Sequence, residues 1–209
     1  LDATHTASYS GSGSTWVDES GEGNNSTITG ASWNSRKKAF EFDGTNDFAD
    51  LASVTYSFSD GLATHFVADF DAAENYETVF RFSSGTSSTG LTQGDGVVLL
   101  RDGTSNALRL GVFNDGDYWE CTTGAVIQAG FHSYSLVAAS DGSCTYSVDS
   151  GSSASGTVST AAGATYLSSI PDEMLDNISV GSQSHADGTR TNYFGGSIQS
   201  LLLYNTDQT

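Results

Sequence analysis

The chain has 209 residues, of which 15% are charged, and its 25 acidic against 7 basic side chains give a net charge of −18. Such a surface repels phosphate backbones and anionic headgroups, which argues against nucleic acid and membrane surfaces as partners. No apolar run approaches the ~20 residues of a membrane helix.

An acidic, lysine-poor surface suits a medium whose salt or divalent cations screen its self-repulsion, an extracellular or marine setting among them. The length fits one all-β domain over residues 1–209. The chain opens at Leu1 with no visible signal peptide, which predicts a processed product or an excised domain.

In chain order, the first feature is DESGEGNN at 18–25, an acidic loop with Asp18 as a candidate calcium ligand. Calcium takes about six to eight oxygens from carboxylates, amides and carbonyls. DGTND at 43–47, with Asp43 and Asp47, and NDGD at 114–117 are the other two candidates. None has EF-hand spacing, and hydrogen-bonded Asx turns account for each equally well. GEGNNS at 21–26 lacks the third glycine and the strand–turn–helix setting of a nucleotide loop. Asn24, Asn25 and Asn177 begin Asn-x-Ser/Thr sequons, relevant only on a eukaryotic secretory route.

AFEFDGTNDFADL at 39–51 alternates Phe40 and Phe42 with Glu41 and Asp43. The two acids share one face of a strand, the arrangement from which a retaining glycosidase builds its carboxylate pair. A jelly-roll glucanase would add a third acid two or three residues on, and Gly44, Thr45 and Asn46 stand there instead. The stretch is therefore read as a core strand running into an Asx-Gly turn, not a catalytic dyad.

Period-two alternation continues through Phe66, Ala68 and Phe70, through Leu108, Leu110 and Val112, through Tyr134, Leu136 and Ala138, through Tyr146 and Val148, and through Ile198, Ser200, Leu202 and Tyr204. Between these runs lie seven Asp-Gly dipeptides, at Asp43, Asp60, Asp95, Asp102, Asp115, Asp141 and Asp187. Asp-Gly is a strong turn signal. The Ser/Gly/Ala-rich stretch 149–164 is read as an exposed loop or edge hairpin, and SSIPDEMLDN, with the single proline Pro171, as the one place for a short helical turn. Short strands, many turns and almost no helix signal predict an all-β, two-sheet antiparallel sandwich of jelly-roll type.

Sugar binding calls for aromatic faces beside amides and carboxylates. FNDGDYWE at 113–120 offers Asn114, Asp115, Asp117, Tyr118 and Trp119, although the last two point to opposite faces and one of them is expected inside. ENYETVFRF, with Tyr76 and Arg81, and HADGTRTNYF, with His185, Arg190 and Tyr193, are further loop candidates. No nucleophile elbow is present, and His5, His65, His132 and His185 are too scattered for a zinc site. Cys121 and Cys144 fit either one disulfide or two free thiols.

The order of segments resembles a laminin-G-like, concanavalin A-like jelly roll from Leu1 to about Tyr204. The resemblance is carried by the opening LDATHTASYSGSGSTWVDESGEGNNS, by AFEFDGTNDFADL, by SLVAASDGSCTYSVDSG, and by NISVGS with FGGSIQSLLLYN. The opening is similar to domains of virion structural proteins of marine phages and algal viruses. The resemblance implies a carbohydrate- or partner-binding role without catalysis, and a structural calcium held by early acidic loops and a last-strand Asp. Gln199 replaces that Asp here, and Ser150 follows Asp149 where the family has Gly.

The expectation is a lectin-like surface module without enzymatic activity, displayed extracellularly or on a virion. Glycans, or neighbouring capsid subunits, would be its partners, and homo-oligomerisation is compatible with it. A secreted jelly-roll glycoside hydrolase or polysaccharide lyase is the alternative.

Overall fold

The computed structural model describes residues 1–51, 54–56, 60–71, 76–83, 96–114, 117–160, 173–175, 177–185 and 188–205, with backbone alone at 54–56, 114, 117, 173–175 and 177. In chain order the strands are β1 (Thr15–Trp16), β2 (Ser26–Thr29), β3 (Ser32–Asn34), β4 (Ala39–Asp43), β5 (Phe48–Leu51), β6 (Val54–Tyr56), β7 (Leu62–Phe70), β8 (Glu77–Ser83), β9 (Gly96–Asp102) and β10 (Ala107–Asn114). They continue as β11 (Asp117–Ala125), β12 (His132–Ala138), β13 (Cys144–Val148), β14 (Ala154–Ser155), β15 (Thr157–Thr160), β16 (Glu173–Leu175), β17 (Asn177–Val180), β18 (Gln183–Ser184), β19 (Arg190–Thr191) and β20 (Gly195–Tyr204).

Two antiparallel sheets make the sandwich. The larger has nine strands in the order β1-β2-β5-β17-β8-β9-β10-β11-β15, the smaller seven in the order β14-β13-β12-β7-β20-β4-β3. The pairs β6–β16 and β18–β19 stand apart. No helix occurs among the described residues. The fold is the two-sheet antiparallel β-sandwich that the alternation predicts.

The core lies between the sheets. Phe40, Phe42, Phe66, Ala68, Phe70, Tyr134, Leu136 and Ile198 reach it from the smaller sheet, and Phe80, Phe82, Leu99, Leu108, Leu110 and Val112 from the larger. Phe66 stacks on Tyr134 with centroids 5.0 Å apart, and Phe70 meets Phe194 at 5.1 Å. Offset and edge contacts of this kind add to what ring burial contributes.

Cys121 on β11 and Cys144 on β13 form a disulfide, with Cα atoms 6.1 Å apart, that ties the larger sheet to the smaller at one side. The chain itself crosses between the sheets beside this bond, from β14 to β15 through Gly156. A Cβ there would stand 2.5 Å from Cys121 Sγ and 2.8 Å from Cys144 Sγ, so only glycine fits. The stretch expected as a loop or edge hairpin thus supplies one edge strand to each sheet.

A buried ion pair makes a second tie. Arg101 Nη1 donates to Glu77 Oε2 at 2.9 Å and to the carbonyl of Asp71, just past β7, at 3.0 Å. Glu77 Oε1 in turn accepts the amide of Gly195 on β20 at 3.0 Å. Both side chains are almost fully buried, 4% and 0% exposed.

The turn signals divide by role. Asp102 and Asp141 close the β9–β10 and β12–β13 hairpins, each Oδ1 accepting the amide two residues on. The Asp43-Gly44 turn instead carries the chain from β4 in the smaller sheet to β5 in the larger. Asp95, Asp115 and Asp187 lie outside the described residues, as does Pro171. Of the stretch expected to make a helical turn, Glu173–Leu175 is strand β16, because it finds a ladder partner in β6.

Candidate functional site

The larger sheet departs from simple alternation at its centre. Every residue of β8 and the first six of β9 are buried, so both faces of these strands are covered. The inward side chains join the main core. On the face turned away from it, Val98, Leu100 and Phe113 form a second apolar cluster, against which the partly exposed rings of Tyr76 and Tyr118 pack. Phe113 lies 6.4 Å from Tyr118, and its ring folds over Gly111, whose absent Cβ would sit 2.6 Å from it. Tyr76 reaches the cluster from a backbone φ of 54°, a strained conformation for a side-chain-bearing residue.

Charged groups flank this cluster. Arg109 Nη2 donates to Glu120 Oε1 at 2.6 Å across β10 and β11. Arg81, on β8, is 3% exposed, and burial pushes its guanidinium down to about 10, which leaves it charged at neutral pH. At the β17 side, Arg190 Nη2 donates to both carboxylate oxygens of Asp50 at 2.7 Å, and Nη1 to Ser179 Oγ and Ser182 Oγ. Its guanidinium also lies 3.6 Å from the Phe48 ring centroid. Arg190 thus fastens the β18–β19 hairpin to the sheet, its donors committed within the protein.

Two of the residues expected to contact sugar, Tyr76 and Tyr118, therefore meet on one surface although 42 positions separate them in the sequence. Trp119 goes the other way, 3% exposed in the main core with Nε1 donating to the carbonyl of Gly142 at 3.1 Å. Its ring offers no face to a ligand, as the opposite pointing of neighbours on a strand requires. Tyr193 is half-buried in the β19–β20 connection, next to Phe194 in the core. His185 is 2% exposed and its Nε2 is hydrogen-bonded to Thr191 Oγ1 at 2.9 Å. Asp115 lies outside the described residues, as do the side chains of Asn114 and Asp117.

Val98, Leu100 and the Arg109–Glu120 pair were missed from sequence. The signal for the first two was present in GVVLL at 96–100, an unbroken apolar run rather than an alternating one.

Of the calcium candidates, Asp18, Asp43 and Asp47 each serve a turn, while the side chains of NDGD at 114–117 lie outside the described residues. Asp18 Oδ1 accepts the amide of Ser20 and Oδ2 that of Asn24, bonds that hold its carboxyl below the usual range against the opposing effect of burial. Asp43 Oδ1 accepts the amides of Thr45 and Asn46, and Asp47 Oδ2 that of Asp43. Asp47 is 6% exposed, and burial raises its carboxyl. Among the described residues no three His, Cys, Asp or Glu side chains converge as a metal site.

A cavity of about 420 Å³ opens between the sheets at another end. Leu51, Phe82, Val180, Leu201 and Leu203 make its apolar wall, and Asp2, Asp18, Glu19 and Asn24 its polar lip.

No protein-family model matches the chain, and no curated protein matches its sequence. Solved structures do match in fold. The CBM40 domain of the Ruminococcus gnavus IT-sialidase aligns with a TM-score of 0.53 at 12% identity, over 78% of this chain and 92% of that one. A NanB sialidase from Streptococcus pneumoniae aligns with 0.57 at 14% identity, over 82% of this chain and 26% of its own. The receptor-binding domain of botulinum neurotoxin type G aligns with 0.62 at 9% identity, over 95% of this chain and 47% of that chain. At these identities the likeness is one of fold: an all-β jelly-roll sandwich.

Proposed function

We propose that this chain is a non-catalytic glycan-binding module that seats sugar rings on the outward face of its larger sheet, at Tyr76 and Tyr118. The observation that carries the reading is the second apolar cluster. A sandwich needs one core, and an aromatic-edged patch on the far face of a sheet is what ring stacking of a pyranose uses. The Arg109–Glu120 pair beside it supplies donors and acceptors for hydroxyls. A structure of the Ruminococcus gnavus CBM40 domain bound to α2,3-sialyllactose shares the fold at 13% identity, which supports a glycan as the ligand class.

Binding rather than cleavage is favoured by the carboxylates. Glu41 is tied to Asn34 and Lys37 on the outer face of the smaller sheet, and Asp43 is committed to its turn. The disulfide supports an oxidising location, an extracellular or virion surface included.

A glycan array read with the wild type and with Tyr118→Ala tests this. Binding by the wild type with a loss of about two- to tenfold in the variant is expected, since stacking on one ring is worth about 0.5–1.5 kcal/mol. Silence on every glycan, or full binding by the variant, overturns it.

A further inference from the structure

The cavity between the sheets lies where strands of both sheets run out. Leu51 ends β5, Val180 ends β17 and Phe82 is one residue from the end of β8, all in the larger sheet. Leu201 and Leu203 face them from the last residues of β20 in the smaller sheet. All five belong to the main core or pack against it, yet Leu51 and Leu203 keep part of their surface exposed. The core is therefore open at this end, and the opening of about 420 Å³ is of the size that takes a small organic molecule.

The lip of the opening has the opposite chemistry. Asp2, Asp18 and Glu19 stand there, and no Lys or Arg is among the described lining residues. Asp18 spends its oxygens on the amides of Ser20 and Asn24. Asp2 Oδ1 accepts from Thr4, and Glu19 Oε1 is bonded to His5. The second oxygen of Asp2 and of Glu19 has no hydrogen-bond partner among the described residues. The amine of Leu1 is the cation nearest the lip. It donates to the carbonyl of Leu201 at 3.1 Å, and burial pushes it below its ordinary 8.0. Three carboxylates thus outweigh one amine whose charge burial disfavours.

Wall and lip together select a ligand. An anionic head would meet three carboxylates on a protein of net charge −18. A sugar would press hydroxyls against aliphatic side chains that offer them no partner. A purely apolar molecule would leave the lip unused. What satisfies both parts is an apolar body with a cationic end.

We propose that this cavity binds a small amphiphilic amine, its alkyl or aryl body between Phe82 and the leucines and its ammonium among Asp2, Asp18 and Glu19. The site goes beyond the glycan-binding reading and shares no residue with the Tyr76 and Tyr118 face.

Calorimetric titration at low salt near neutral pH tests it, with n-octylamine, octan-1-ol, sodium octanoate and ethylamine as probes. Wild type, D2N/E19Q and Leu203→Trp are compared. Asn and Gln keep the acceptor oxygens of the lip while removing two charges, and the indole takes up space at a partly exposed position. Octylamine is expected to saturate one site at least about tenfold more tightly than octanol or ethylamine, with octanoate silent. D2N/E19Q should bring octylamine down to the level of octanol, and Leu203→Trp should weaken both. No saturable binding of octylamine overturns the site, as does binding of ethylamine with equal strength, which would be neutralisation of an acidic surface. Equal binding of octylamine and octanol, or unchanged octylamine binding by D2N/E19Q, overturns the role of the lip. Should Leu203→Trp fail to fold, D2N/E19Q and the four probes decide the matter alone. A glycan array lost in Tyr118→Ala reads the other face, so either proposal can fail without the other.

Discussion

The two sheets bury their inner faces alike and differ in their outer ones. On the smaller sheet, β7 alternates from Thr64 onward and β12 from Ser133 onward, with Val67, Ser135 and Val137 partly exposed between buried neighbours, and Leu202 and Tyr204 are 36% and 39% exposed. On the larger sheet, Arg81, Val98 and Leu100 are 2–3% exposed on the face away from the core. A strand with one solvated face tolerates whatever keeps its pattern, whereas a strand covered twice must satisfy packing on both sides. The larger sheet therefore carries a second set of constraints beyond those of folding one core, and it is where the proposed binding surface lies.

The contrast can be broken by substitution. Leu100→Ala on the doubly covered strand is expected to cost about 2–5 kcal/mol in denaturant unfolding, while Ser135→Ala on the smaller sheet stays within about 0.5 kcal/mol. Equal effects would erase the distinction. Next in size is the tie between the sheets: replacing both Cys121 and Cys144 by Ser is expected to lower stability by about 3 kcal/mol, given a sequence separation of 23. Gly156→Ala, which drives a methyl into the disulfide, should cost about 1–3 kcal/mol, and less once the bond is reduced.

The smallest effect belongs to a pH-dependent contact on the smaller sheet. His132 Nδ1 lies 2.5 Å from Asp149 Oδ2, and that bond raises the imidazole above its ordinary 6.5 and lowers the carboxyl below its ordinary 3.8. The raised His contributes stability in full below about pH 6.5, lost as pH rises through its folded pKa. The lowered Asp contributes above about pH 3.8, lost as pH falls through its own. The wild type should thus lose stability relative to His132→Gln as pH is raised from about 6 to above the folded His pKa. Parallel melting curves across that range would remove the pair from the account.

Much of this was legible. AFEFD reads as a strand with Phe40 and Phe42 inward, and it is one. The Asx turn at Asp43 is present too, but it serves a crossing between sheets, because which sheet receives the next strand depends on partners far away in sequence. Tyr118 and Trp119 were read as facing opposite ways; the structure decides that Trp119 is the inner one. Arg190 reads from the sequence as a loop candidate for a ligand, yet Asp50, 140 positions away, accepts two hydrogen bonds from it. Nothing near HADGTRTNYF in the sequence announces that partner.

Alternation with period two is a local property of the chain, and it sufficed to determine an all-β sandwich and most of its core. Pairing across the sheets is not local. Only the tertiary structure decided that the two cysteines join, that β8 and β9 are covered twice, and that Tyr76 meets the same apolar cluster as Tyr118. Side-chain direction is fixed by neighbours in sequence, whereas burial of the second face and the sharing of charge are fixed by whatever the fold brings alongside.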